Sequence, residues 1–227
     1  LSSQADMIIA IGGGSAIDMA KAISYFGHKA DSTRKTTLVA IPTTSGTGSE
    51  VTSIAVITDK VNSVKIPLND EMLIPDAAIL DARFTRTVPP HVTAATGMDV
   101  LTHAVEAYTS RYSNVFTAIY AEQAIRNVFT YLKRAYDHGD DMTARDNMLI
   151  GSCMAGLAFT NSGLGVTHSM AHSLGGLFHI PHGLANAVLL PFVIGFNSFD
   201  AGVKYTEIAA FIGLETNTVE EGMRNLI

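Results

Sequence analysis

Asp99 and His103 stand four residues apart in the stretch GMDVLTHAVEAY. On a helix that spacing puts both side chains on one face, within reach of one point. His168 and His172 repeat the step in VTHSMAHSLGG, and His179 and His182 flank Pro181 shortly after. One carboxylate with two or more imidazoles is a donor set for Zn2+ or Fe2+, whereas Ca2+ and Mg2+ take oxygen shells. The pattern is not the zinc-protease HExxH, because Ser169 stands where that motif has its glutamate base. On one continuous helix His168 and His182 would lie about 21 Å apart, at about 1.5 Å per residue. They can share an ion only if the chain turns between them, and Gly175, Gly176 and Pro181 are expected to make that turn. A single helical histidine is more often a capped or surface residue than a ligand, and only the clustering of histidines between residues 103 and 182 brings the two readings level. Spacing therefore leaves two readings open, a shared metal site or a set of structural histidines on charge-poor helices.

A second constellation lies near the start of the sequence. The apolar run MIIAI at residues 7–11 enters Gly12, Gly13 and Gly14, and Ser15 is the expected N-cap of a helix over residues 16–25. A strand, a glycine turn and a helix make an anion site, because backbone N–H groups and the helix N-terminus both face the ligand. The match to standard motifs is partial. Ile17 replaces the third glycine of the dinucleotide fingerprint, and no Gly-Lys-Ser/Thr follows for a P-loop. A phosphate site and a tight structural turn both fit. The loop at residues 43–50, PTTSGTGSE with its proline, adds hydroxyls from Thr43, Thr44 and Thr47 after another strand end. Two such loops at strand ends favour a nucleotide diphosphate over an ordinary Ser/Thr-rich loop.

The elements that must hold these residues follow from the apolar patterning. Strands are expected at residues 7–11, 37–41, 53–58 and 77–80, in a parallel α/β sheet covered on both faces. From Pro89 and Pro90 onward the pattern turns helical, over residues 94–108, 116–135, 142–159 and 168–177 and again from Val203. The expected division is an α/β domain over residues 1–89 and an all-α domain over residues 90–227. With 47% hydrophobic and 16% charged residues, the 227-residue chain has the composition of an ordered globular protein. A net charge of −6 argues against nucleic acid as partner. The single cysteine, Cys153, excludes an internal disulfide, is expected in the core and suits a reducing cytosol. The longest apolar run, residues 187–196, is expected to break at Pro191, so no membrane span and no signal peptide are expected. Leu1 lies close to a strand and Ile227 falls within a helical pattern, which suggests a piece of a longer protein.

Four ordered stretches, GGGSAIDMAK, PTTSGTGSEVT, GMDVLTHAVEAY and GVTHSMAHSLGGLFHIPHGLAN, resemble the iron-containing (group III) alcohol dehydrogenase family. The resemblance runs from about Ala5 to about Asn197. It is nearest the branch of 1-propanol and ethanolamine-utilisation alcohol dehydrogenases. It implies a dehydroquinate synthase-like fold: a nucleotide-binding α/β domain with a parallel sheet, then an all-α metal domain, with the active site between them. It assigns metal ligation to Asp99, His103, His168 and His182, and places His172 in the cleft beside the nicotinamide. It assigns the pyrophosphate turn to Gly12, Gly13, Gly14 and Ser15, with Asp18 just after it. Thr43, Thr44 and Thr47 match the second cofactor loop, and Lys65 matches a lysine near the cofactor. The implied ion is Fe2+ or Zn2+ and the implied cofactor NAD or NADP. The implied reaction interconverts a small primary alcohol and its aldehyde in a cytoplasmic bacterial homo-oligomer, a setting compatible with a microcompartment. Family members are longer at both ends, with an acidic residue that helps choose NAD over NADP before this stretch and pocket-closing helices after it.

Three rivals remain at this level. A glycerol dehydrogenase-like polyol oxidoreductase shares the fold, but PTTSGTGSE and PHG favour the alcohol dehydrogenase branch. A metal-dependent hydrolase leaves both glycine loops without a use. A truncated, catalytically incompetent homologue predicts lost ligands, and none is lost.

Overall fold

The computed structural model describes residues 5–33, 36–59 and 64–214. Leu1 and Ile227 lie outside the described residues. Strand β1 (Met7–Gly12), helix α1 (Gly14–Ala30) and strand β2 (Thr37–Pro42) form a parallel unit in which Met7 pairs with Thr37 and Ile11 with Ile41. A two-residue strand, β5 (Ala77–Ala78), joins the far edge of β2 in parallel. Ile8 and Ala10 face α1 and pack with Ile17, Ala20, Leu38 and Ala40 in a small core. The opposite face of β1 carries Met7, Ile9 and Ile11, all about half exposed, so the described sheet is covered on one face and not on both.

The strand expected over residues 53–58 forms, but not in this sheet. Strand β3 (Ile54–Asp59) pairs antiparallel with β4 (Val64–Asn69), which patterning did not reveal. Four residues separate the two strands. That is enough for a hairpin and far too few for the crossover a parallel pair needs.

The helical part begins at helix α2 (Pro90–Thr109), four residues earlier than patterning suggests. Pro90 sits in its first turn, where a missing N–H costs nothing. Helix α3 (Val115–Asp137) starts on a capping box between Asn114 and Thr117, and α4 (Met142–Ser162) on the Asp141 side chain. Helices α5 (Val166–Phe178) and α6 (His182–Phe211) follow. Helix α2 runs through the middle of the bundle. Val100, Leu101, Ala104 and Val105 meet Ile125 and Val128 of α3, Met148 and Ala155 of α4, and Leu190 and Ile194 of α6. Being central, α2 is buried around most of its girth from Asp99 to Ala107, so any polar atom there without a partner calls for an explanation.

Two expectations about α5 and α6 need correcting. Gly175 and Gly176 stay inside α5, and the reversal falls at His179, held left-handed at φ 55°, and at Pro181, the N-cap of α6. The residue before a proline is pushed out of the α region, which places the break at residue 180. Further on, α6 does not break at Pro191 but continues as 30 residues. The proline removes one backbone hydrogen bond, and packing against α2 offsets that loss. By length and composition alone α6 is long and apolar enough to cross a bilayer, contrary to expectation. In this fold its first two turns carry His182 and the buried Asn186 beside α2.

Candidate active site

Three helices bring the chemistry together: α2 supplies Asp99 and His103, α5 supplies His168 and His172, and the first turns of α6 supply His182 and Asn186. The Asp99 carboxylate lies 3.6 Å from His168 Nε2 and 3.7 Å from His182 Nε2. One ligand atom from each of these residues falls within 4.8 Å of the others. His103 is buried beside this group but outside it. Its ring stacks between Phe159 and His168, each centroid 4.4 Å away. His172 stacks on His182 at 4.6 Å and is half-buried. His179 is only the turn residue between the two helices.

The donors fit a divalent ion of the zinc or iron type: one carboxylate and two imidazole nitrogens converge, with a third imidazole stacked against them. His103 Nδ1, His182 Nδ1 and Asn186 Oδ1 are buried here with no hydrogen-bond partner among the described residues. Leaving such atoms unpaired costs about 1–3 kcal/mol each, so their concentration marks a functional site rather than a packed core.

Burial and charge sort the protons. Burial pushes His103 down to about 3, and the neighbouring His168 and His182 push the same way. Burial takes His182 down to about 4 and lowers His172 as well. His168 goes the other way. Burial would lower it, but hydrogen bonds to Asp99 and Glu106 hold it up to about 9. Burial would raise Asp99, yet the surrounding histidines hold it well below the usual carboxylate range. Near neutral pH Asp99 is thus ionised and His103, His172 and His182 are neutral, the states metal ligands need, while His168 keeps a proton that metal binding would release.

Two contacts here escaped sequence reasoning. Glu106, buried on α2, accepts from His168 Nδ1 at 2.6 Å. Asn186 donates to Asp99 Oδ1 at 2.7 Å and lies 3.3 Å from the Nε2 atoms of His168 and His182. Helical spacing carried both signals, since Glu106 is seven residues after Asp99 and Asn186 four after His182. A charge on an apolar helix reads as surface until the helix is known to be central.

The same cleft reaches the glycine turn. A cavity of about 360 Å³ is lined by Gly14, Ser15, Asp18, Thr47 and Lys65 at one end and by Asp99, His168, His172 and His182 at the other. Gly13, not Ser15, is the N-cap of α1, and no side chain caps it. The first N–H groups of α1 are therefore open to an anion. Gly12, Gly13, Thr43 and Thr44 do not line this cavity but pack against each other: Thr43 N–H donates to Gly12 O at 2.9 Å, and Thr44 abuts Gly13. A Cβ on Gly14 would lie 2.6 Å from Thr47 Cγ2, so the two loops interlock only with glycine there.

Asp18 lines the cavity but is committed to the protein, accepting from Ser49 Oγ at 2.5 Å and Val56 N–H at 2.9 Å. Lys21, unnoticed in the sequence, donates to Thr52 O, Thr52 Oγ1 and Ile54 O. Together they brace α1 against the chain that floors the cleft. Cys153 is partly buried, and burial with the Glu50 charge pushes its thiol up to about 12, which leaves it inert.

The family model "Fe-containing alcohol dehydrogenase family, C-terminal" matches residues 93–227, and "Iron-containing alcohol dehydrogenase" matches residues 1–82. The chain is 51% identical to 1-propanol dehydrogenase PduQ of Citrobacter freundii, covering 92% of this chain and 56% of that protein. It is 45% identical to the NADPH-dependent butanol dehydrogenase of Clostridium saccharobutylicum, covering 98% of this chain and 60% of that one. Among solved structures, the alcohol dehydrogenase from Oenococcus oeni superposes with a TM-score of 0.92 at 34% identity, over 98% of this chain and 62% of that one. A 1,3-propanediol oxidoreductase superposes with a TM-score of 0.90 at 37% identity, over 98% of this chain and 63% of that one. The chain thus spans a little over half the length of these two curated relatives.

Proposed function

Because this chain belongs to the iron-containing alcohol dehydrogenase family, we propose that its cleft performs NAD(P)-linked interconversion of a small primary alcohol and its aldehyde. The observation that carries the proposal is the single cavity joining the open N-terminus of α1 to the Asp99, His168 and His182 group. A hydrolase would have no use for the first of these ends.

The family implies a metal and a nicotinamide cofactor, and the residues fit both. We assign the ion, Fe2+ or Zn2+, to Asp99, His168 and His182, with His103 as fourth ligand. The ion, when bound, supplies Lewis-acid polarisation of the substrate oxygen, while the nicotinamide of NAD or NADP exchanges the hydride. The protein does the positioning. Gly14 and Ser15 present backbone N–H groups to the pyrophosphate, on a turn that Gly12 and Gly13 shape, with Thr47 facing it from the opposing loop that Thr43 and Thr44 begin. Asp18 supports this loop through Ser49. Lys65 reaches in from β4 near His172 and adds positive charge beside the cofactor. Phe159 and Leu164 give the metal end an apolar wall suited to a short alkyl chain. His172 accepts a proton in oxidation and returns it in reduction, an exchange suited to an imidazole facing the cleft. Residues 1–89 and 90–227 serve as cofactor and metal domains. The setting proposed is a cytoplasmic homo-oligomer, a dimer or larger, acting on small molecules.

The test is metal analysis of the full chain purified without added metal, paired with a scan of short aldehydes against NADH and NADPH. Bound iron or zinc with oxidation of one cofactor is expected. Metal-free protein that oxidises neither, even after loading with Fe2+ and Zn2+, would overturn the proposal.

A further inference from the structure

We infer that Glu106 is the positioning residue of the metal centre, fixing the His168 ring so that Nε2 faces Asp99 and His182 and locking α2 to α5. The inference rests on the metal-centre reading above and adds a residue to it. Glu106 Oε2 lies 2.6 Å from His168 Nδ1 and also accepts from Gly165 N–H at 2.9 Å, while Oε1 accepts from Thr167 N–H at 2.7 Å. The side chain is almost fully buried. A carboxylate only accepts, so Nδ1 must carry a hydrogen, and once the ring is neutral its lone pair lies on Nε2. That nitrogen is the one 3.6 Å from Asp99.

The same carboxylate caps α5. Gly165 is the N-cap and has no side chain to cap with, so Glu106 reaches across from α2 to take the N–H groups of Gly165 and Thr167. Negative charge at a helix N-terminus is favourable. The approach is tight: a Cβ on Gly165 would lie 2.8 Å from Glu106 Oε1. Ligand-bearing α2 and ligand-bearing α5 are thus joined through one side chain, and its oxygens are not part of the ligand group.

Glu106→Leu keeps bulk at the position but leaves His168 Nδ1 and the N–H groups of α5 without their acceptor. Glutamine is the weaker probe, because its one carbonyl oxygen can take the place of Oε2 and still accept from His168 Nδ1–H. The experiment titrates the metal-stripped full chain with Co2+, following the cobalt d–d absorption, beside thermal melts of the metal-free proteins. Glu106→Leu should weaken Co2+ binding about 10–100-fold in protein that the metal-free melt shows to be folded, with Glu106→Gln closer to the parent. Gly165→Ala, which crowds the carboxylate without removing it, should weaken binding in the same direction and serves if Glu106→Leu does not fold. Co2+ affinity within about threefold of the parent in folded Glu106→Leu, or in Gly165→Ala where that serves instead, would overturn the inference and leave the metal-centre reading standing. A parent chain that takes up no Co2+ would overturn both.

Discussion

Gly183 passes Ala95 so closely that a Cβ on the glycine would lie 1.9 Å from the Ala95 carbonyl oxygen. Helix α6 therefore touches the backbone of α2 one residue after His182 and four residues before Asp99. Gly183→Ala must push the helices apart and carry His182 away from Asp99. A destabilisation of about 3 kcal/mol is expected from overpacking against backbone, with loss of metal from the folded fraction. Gly195, in the same helix, has nothing within 4 Å of its Cβ position. Gly195→Ala should stabilise by up to about 1 kcal/mol. Melting temperatures that move together in the two variants would contradict this account of the crossing.

Removing a ligand should remove metal and turnover together. His168→Ala and His182→Ala each delete one nitrogen of the three-residue group. Metal content after dialysis and turnover should both fall at least about tenfold, since the remaining donors cannot close the shell. A variant that loses its metal and keeps the parental rate would end the assignment of a Lewis-acid role.

His172 is predicted to shape the pH profile. Burial lowers it from the usual histidine value, so its neutral form prevails at pH 7. If it accepts the proton in alcohol oxidation, kcat/KM should rise with pH through a value below about 6.5 and then level. In aldehyde reduction the dependence should run the other way. In His172→Phe that limb should vanish. An unchanged profile in His172→Phe would reduce His172 to packing against His182.

Glu50 should make the fold less stable as pH rises. It is buried beside Lys21 and Cys153, and burial pushes its carboxyl up to about 7 from an ordinary value of 4.5. A raised carboxyl contributes stability that is whole below about 4.5 and is lost as pH climbs through 7. The loss is roughly 3 kcal/mol. Glu50→Gln keeps the shape without the charge, so its advantage over the parent in melting temperature should grow between pH 5 and pH 7. Parallel curves for the two proteins across that interval would count against the buried charge.

How much of this was legible beforehand differs from residue to residue. Asp99 and His103, four apart, could be placed on one helix face from the sequence, as could His168 and His172. Spacing alone could not separate His172 from the ligand group; the resemblance to a known family did that, and in the fold His172 stacks behind His182. The turn between His168 and His182 was foreseen but misplaced. Glycine inside a well-packed helix stays helical, whereas a residue before proline does not. Pro191 misled in the opposite sense, because packing along α2 outweighs one lost hydrogen bond.

The sequence by itself determined the local things: the strand–glycine–helix turn, the helical part after Pro90, the ligand types and their spacing. These rest on patterns read within one or two turns of chain. Only the tertiary structure decided that β3 turns back on β4, that α2 is central, and that Glu106 and Asn186 close around the histidines. Those facts depend on which elements meet. Burial of Glu106 against α5 and of Asn186 against Asp99 comes from contacts 59 to 87 residues apart along the chain, where no local pattern carries information.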